Sequence, residues 1–295
     1  MLMVTSKRSF AQRLGADLVR SQPVLNVGDR RAMNGDRTLV WGEVVRLVAA
    51  FCACLVLSGL HPLSAEETDA FIATIDRVKQ SIGAITCAHA GGDRRIELAP
   101  VHGTVFFIDT HGVFLTAGHV IKGFVDAREN RNCQMSAVLV PVNKWGVEKL
   151  DLFAMRFVPS DCKVDEAADL ARCKTVEDPT AIGKIASKPA ALVIEDVIQP
   201  EGTPVAFSGF PVNALTPYTA RANIAGYQVS GTGSQPLQAF GIVLDKPVWP
   251  GASGAPVYLQ DGRVVGLMLQ RGTGETLGLA FARSGARIHD FLNDP

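Results

Sequence analysis

From about residue 66 onward the chain predicts an all-β fold: two antiparallel β-barrels, a helix before them and a short helix behind them. Three observations predict it. Apolar and β-branched residues gather in short runs of strand length. Turn residues punctuate those runs at regular intervals, as in Asp109-Thr-His-Gly112 and Asp261-Gly262. Helical periodicity marks the two ends, and strands dominate between them.

The elements follow in order. Residues 67–82 read as a helix, because Phe71, Ile72, Ile75, Val78 and Ile82 recur at three- and four-residue steps. Its opposite face is not basic, so the stripe packs on the protein rather than on a membrane. Strands are expected at 101–108, 113–117, 136–142, 149–158 and 170–176, which make a first barrel over about 83–177. A connection bearing Pro179, Lys184, Lys188 and Pro189, near 178–190, links the halves. Strands at 203–207, 220–229, 237–244, 255–259, 263–270 and 278–282 make a second barrel over about 190–283, and 284–292 closes as a helix.

The segment before residue 66 reads as a leader. Residues 1–45 are polar; Leu47–Leu60 is an apolar run after Arg46 and before His61-Pro-Leu-Ser-Ala65. A basic flank, an apolar core and a small terminal residue make a secretory signal peptide. The run falls short of the roughly 20 apolar residues of a membrane span; left uncleaved, it would act as an N-terminal anchor. So long a polar leader is unusual, and we expect translation to start at Met33, with 1–32 outside the protein. The mature chain, 66–295, is then exported, periplasmic or secreted, and soluble.

Three motifs carry chemistry, in the order Thr116-Ala-Gly-His119, Asp169-Leu-Ala171 and Gly251-Ala-Ser253-Gly254-Ala-Pro256. A serine hydroxyl becomes a nucleophile when a histidine takes its proton and an acid orients that histidine. Glycine at Gly251 lets the chain turn so that its N–H and that of Ser253 address one spot, an oxyanion hole. Each motif alone is weak; the three together are specific. An α/β-hydrolase would place Ser before Asp, on a strand-to-helix turn. Here Ser253 comes last and a strand follows, which disfavours an esterase of that fold.

These motifs, with Gly103-Thr-Val-Phe-Phe-Ile108 before His119 and Gly262-Arg-Val-Val-Gly266-Leu after Ser253, resemble a trypsin-like serine peptidase of the chymotrypsin fold, in its bacterial HtrA-like branch. The resemblance covers about residues 70–293 and implies two six-stranded antiparallel barrels. It implies His119 as general base and acid, Asp169 as the orienting acid, Ser253 as the acylated nucleophile, and Gly251 and Ser253 as oxyanion donors. Asp151, in Lys149-Leu-Asp-Leu-Phe, is the rival acid; Asp165-x-x-x-Asp169-Leu-Ala is the family's local pattern. The resemblance places the substrate pocket at the residues before Ser253, at Leu269–Arg271 and at Gly278. Pro247-Val-Trp-Pro250 supplies no carboxylate for Lys or Arg, so small or medium apolar side chains are expected there. Arg271 is a rim charge that restricts the pocket mouth or attracts an acidic residue.

The chain departs from the pattern in four places. The Ile-Val-Gly-Gly start of zymogen-derived enzymes is missing, so activation by a new terminus is not expected. Ala255 replaces a common glycine. Leu269 stands where relatives carry a serine that supports the aspartate. The chain ends at Pro295, and no PDZ domain is expected after the peptidase domain. A catalytically silent peptide-binding relative is the competing reading; its mark would be a lost triad residue, and none is lost.

Composition excludes other classes. Hydrophobic residues are 47% and charged residues 20% of the chain, with zero formal net charge. No basic surface argues for nucleic acid, and no Cys/His spacing argues for a metal or cofactor. The partners expected are protein or peptide substrates. Of six cysteines, Cys52 and Cys54 leave with the signal. Cys87, Cys133, Cys162 and Cys173 remain, an even number suited to an oxidising compartment. Three pairings are open. We expect Cys162–Cys173, stapling the loop of Asp169, and Cys87–Cys133, bracketing the histidine region; four buried thiols are the alternative.

Overall fold

The computed structural model describes residues 69–90, 96–130, 133–142, 151–179, 189–211, 214–230 and 238–294, all within the unit Glu67–Pro295. The leader, the signal segment and most of the 178–190 connection lie outside the described residues. The protein is mostly β, with three helices among the described residues.

Helix α1 (Ala70–Lys79) begins where Asp69 accepts the Phe71 N–H at 3.0 Å, and carries Arg77 and Lys79 in its last turn. An N-cap carboxylate and C-terminal cations both complement the helix dipole. Phe71, Thr74 and Val78 are buried, and Thr74 donates to the Gln260 carbonyl at 2.6 Å. Arg221 stacks on the Phe71 ring at 4.8 Å and pairs with Asp69. The helix is therefore shorter than 67–82. Ile72 points outward at 55% exposure, and Ile82 opens a strand instead.

The first half is one antiparallel sheet. Its strands are β1 (Ile82–Ala90), β2 (Ile96–Leu98), β3 (Gly103–Phe107), β4 (Val113–Ala117), β5 (Met135–Pro141), β6 (Leu152–Arg156), β7 (Lys163–Asp165) and β8 (Leu170–Lys174). They run in the order β6-β5-β1-β3-β4-β8-β7, with β2 paired to β1. A single bridge, Phe157 to Thr175, joins the ends of β6 and β8; no ladder closes the sheet among the described residues. Helix α2 (Gly118–Asn130) follows β4 directly. Phe106, Phe107, Phe114 and Leu115 of β3 and β4 are fully buried. Phe157 meets both Phe114 and Phe124, with ring centres 5.6 and 5.7 Å apart.

The second half is a closed barrel in the order β10-β11-β14-β13-β12-β9. Its strands are β9 (Pro204–Gly209), β10 (Tyr218–Ser230), β11 (Gln238–Leu244), β12 (Pro256–Tyr258), β13 (Val264–Arg271) and β14 (Ala280–Ser284). Alternate residues fill it: Val205 and Phe207 from β9, Ile242 and Leu244 from β11, Ala280 and Ala282 from β14. Closure leaves no open edge to pair with another chain. Helix α3 (Gly285–Asn293) is capped by Ser284, whose hydroxyl accepts the Arg287 N–H.

Four elements escape the sequence reading: β1, β2, β7 and α2. Residues 82–88 of β1 are buried on both faces, between β3 and β5, so no alternation marks the strand. Val120, Ile121 and Phe124 give α2 a buried stripe, while Lys122, Gly123, Asp126 and Arg128 face outward.

Candidate active site

His119 is the second residue of α2, delivered by β4. Asp169 ends the turn between β7 and β8, where the Asp165 carboxylate accepts the Ala168 N–H at 2.9 Å. Strand β8 pairs with β4, Ala117 opposite Leu170, so the residues flanking that pair become neighbours. Asp169 then holds His119 at two points. Its Oδ1 accepts the His119 backbone N–H at 2.8 Å, and its Oδ2 lies 2.8 Å from Nδ1. An ionised carboxylate accepts only, so Nδ1 carries the proton and the lone pair of the neutral ring sits on Nε2. Nε2 has no hydrogen-bond partner among the described residues.

The contact is close because Gly118 has no side chain. A Cβ there would lie 3.1 Å from Asp169 Oδ1 and 3.3 Å from the Leu170 nitrogen. Burial raises the pKa of Asp169, but the hydrogen bonds from His119 and the positive charge nearby prevail, and the carboxyl ionises below the ordinary range. Asp151 lies elsewhere, at the start of β6 on the outer side of β5. Among the two candidate acids it is Asp169 that reaches His119.

Ser253 lies between Gly251 and Gly254, at φ +93° and +86°, a region costly for residues with a Cβ. A Cβ on Gly254 would come within 2.1 Å of the Thr104 carbonyl oxygen and 2.3 Å of Thr116 Oγ1. Thr104 of β3 clamps this loop to the first sheet. Its N–H donates to the Ser253 carbonyl at 2.9 Å, and its hydroxyl donates to the Gly251 carbonyl at 2.9 Å while accepting the Phe210 N–H at 2.9 Å. The N–H groups of Gly251 and Ser253 have no acceptor among the described residues.

The structure does not bring the Ser253 hydroxyl into a hydrogen bond with His119. Ser253 Oγ donates instead to the Leu269 carbonyl at 2.8 Å. Leu269 falls at a bulge in the β13–β14 ladder, between Met268 and Gln270. A bulge residue leaves the regular ladder, and here its carbonyl turns to the serine. Arg271 is exposed at the end of β13, opposite Ala280, and Gly278 is exposed in the turn before β14. Thr104 and Gly118 were missed in the sequence. Thr104 had a signal, as the polar residue in an otherwise apolar buried strand; Gly118 had none.

Both cysteine pairs are joined. Cys162–Cys173 ties β8 to the segment just before β7, across the turn that carries Asp169, with Cα atoms 4.4 Å apart. Cys87–Cys133 ties β1 to the segment after α2, at 5.6 Å. Among the described residues, no group of His, Cys, Asp and Glu is placed to hold a metal ion.

Residues 103–267, from β3 to β13, match the family model of the trypsin-like peptidase domain. The chain belongs to this family. The match begins at the strand of Thr104 and spans His119, Asp169 and Ser253. The trypsin-like peptidase fold is also that of the Rv3671c protease from M. tuberculosis, whose active-form crystal structure is similar with a TM-score of 0.51. That likeness covers 78% of this chain and 86% of that one, at 16% identity. No curated protein matches the chain.

Proposed function

We propose that this trypsin-like peptidase is a serine endopeptidase of an exported compartment, hydrolysing peptide bonds through an acyl-enzyme. The observation that carries the reading is the two-point grip of Asp169 on His119, which orients Nε2 as a base. In the reaction, Ser253 Oγ turns from the Leu269 carbonyl to Nε2 and attacks the substrate carbonyl as His119 takes its proton. The oxyanion that forms accepts from the N–H groups of Gly251 and Ser253. Collapse breaks the C–N bond, and His119 returns its proton to the leaving amine. Water then repeats the sequence on the acyl-serine and frees the carboxylic acid. Asp169 stays ionised throughout and stabilises the imidazolium.

Residues 66–295 form the peptidase, and 1–65 a leader and signal removed on export. The two disulfides support export. We read the first sheet as the family's other barrel, with the Phe157–Thr175 bridge marking its closure. A primary pocket by Leu269, Arg271 and Gly278 takes small or medium apolar side chains. A cleavage profile over a peptide library should then be dominated by residues such as Ala, Val or Leu; one dominated by Lys or Arg rejects this pocket.

The hydrogen bond from Ser253 to Leu269 favours a second reading, a peptide-binding relative that does not cleave. Fluorophosphonate labelling of the full chain separates the two. The peptidase labels, Ser253→Ala does not, and Asp169→Asn labels about 10⁴-fold more slowly. Folded wild type that stays unlabelled, with and without peptides, establishes the binding relative.

A further inference from the structure

The turn that carries Asp169 is held from several sides. Strands β7 and β8 form a hairpin whose last pair is Asp165 with Leu170, so residues 166–169 make the turn between them. Behind the turn, the Cys162–Cys173 disulfide joins the two arms. Helix α3 of the second half reaches the same hairpin: Lys163 donates to the Asp294 carboxylate at 3.2 Å and lies 5.5 Å from the centre of the Phe291 ring. Within the turn, Asp165 Oδ1 accepts the Ala168 N–H at 2.9 Å, and its Oδ2 lies 3.9 Å from Arg287 of α3. Ala168 is buried in the core, while Glu166 is exposed and lies 4.0 Å from Lys122 of α2.

Asp169 is the last residue of this turn, and its φ is +54°. A residue with a Cβ occupies that region at a cost, and stays there only where its neighbours hold it. On one side Leu170 is fixed by the pairing of β8 with β4. On the other side Ala168 is fixed through its N–H by Asp165. An aspartate that accepts a backbone N–H a few residues on closes a turn locally. The grip on His119 uses both oxygens of Asp169, one on the backbone N–H and one on Nδ1. A backbone rotation at Asp169 moves both oxygens together and loses that double contact.

We propose that Asp165 is a positioning residue for Asp169: by closing the turn it holds Asp169 in its left-handed conformation and aims the carboxylate at both donors of His119. This rests on reading His119 as the base and Asp169 as its orienting acid. No hydrogen bond joins Asp165 to His119 among the described residues, so Asp165 acts through Ala168 and the conformation of Asp169. What it sets is the tautomer of the ring. With Asp169 in place Nδ1 carries the proton and Nε2 is free to accept one. Without it the neutral ring shifts toward the Nε2–H form, which cannot take the proton of Ser253.

The test compares the full chain with Asp165→Ala and Asp165→Asn by nitrogen NMR of the His119 ring, at a pH where the ring is neutral. Fluorophosphonate labelling and the thermal midpoint are followed on the same samples. The Asn variant keeps an acceptor at Oδ1, and should show the wild-type tautomer and label at close to the wild-type rate. The Ala variant should shift the ring toward the Nε2–H tautomer and label about 10²-fold more slowly. If the Ala variant does not fold, Asp165→Glu, whose acceptor is displaced by a methylene, takes its place. A purely structural role would lower the midpoint and leave the tautomer of the folded protein unchanged. An Ala or Glu variant with the wild-type tautomer, or an Asn variant that shifts as far as Ala, overturns the proposal. The two readings fail separately. Unlabelled wild type with the tautomer shift present in the Ala variant rejects the peptidase and keeps the role of Asp165. Labelled wild type with no such shift rejects Asp165 alone.

Discussion

Asp169 has φ +54°, the one positive value outside glycine among the described residues. Asp tolerates this region better than most side chains, at a cost of order 1 kcal/mol. The strained turn aims both carboxylate oxygens at His119, and the two hydrogen bonds hold it there. Gly254 is the opposite case, since at φ +86° and with the Thr104 carbonyl 2.1 Å from a Cβ, nothing larger fits. Gly254→Ala should therefore cost about 3 kcal/mol or more, seen as a lower thermal midpoint with fluorophosphonate labelling abolished. A midpoint within a degree of wild type would show that the loop is not held this tightly.

At the scale of elements, three strands share a chain of hydroxyls. Tyr258 of β12 meets Ser208 of β9 at 2.8 Å, and Ser208 meets Thr219 of β10 at 2.8 Å. Burial pushes the Tyr258 phenol up to about 12 from an ordinary value of 10.0. A raised folded-state pKa means the unfolded chain releases the proton first. The stability this adds is complete below pH 10 and is lost as pH rises from 10 to about 12. That two-unit gap corresponds to roughly 2–3 kcal/mol. Wild type should therefore show a falling urea midpoint across that window, and Tyr258→Phe a flatter profile. Equal slopes for the two proteins would place the alkaline transition elsewhere.

At the scale of the molecule, the two halves meet where Thr104 of the first sheet grips the loop of Ser253 from the second barrel. The disulfides act on this whole by restricting the unfolded chain. Closing separations of 11 and 46 residues is worth about 3 and 4 kcal/mol in the chain-entropy model. The sum is comparable to the total stability of an ordinary domain, about 5–15 kcal/mol. Reduction under non-denaturing conditions should lower the thermal midpoint sharply and end labelling at 37 °C. A reduced protein that melts with the oxidised one would show that the core alone suffices. No exposed edge of the closed barrel offers an alternative pairing during such unfolding.

The mostly β class, most strands of both halves, the closing helix and the family are legible in the sequence, because each rests on local pattern: apolar runs, turn residues and glycine-flanked motifs. The sequence also carried the residues of the candidate site, His119, Asp169 and Ser253, as letters in an order. Long-range contacts settle which acid meets His119, since that depends on β8 rather than β6 lying beside β4. The same contacts turned the Ser253 hydroxyl to the Leu269 carbonyl and set Thr104 as the clamp. Strand β1 was illegible for a related reason, since burial on both faces erases the alternation that a half-exposed strand displays. Each of these contacts joins residues distant in the chain, and periodicity carries no information about which distant strands become neighbours.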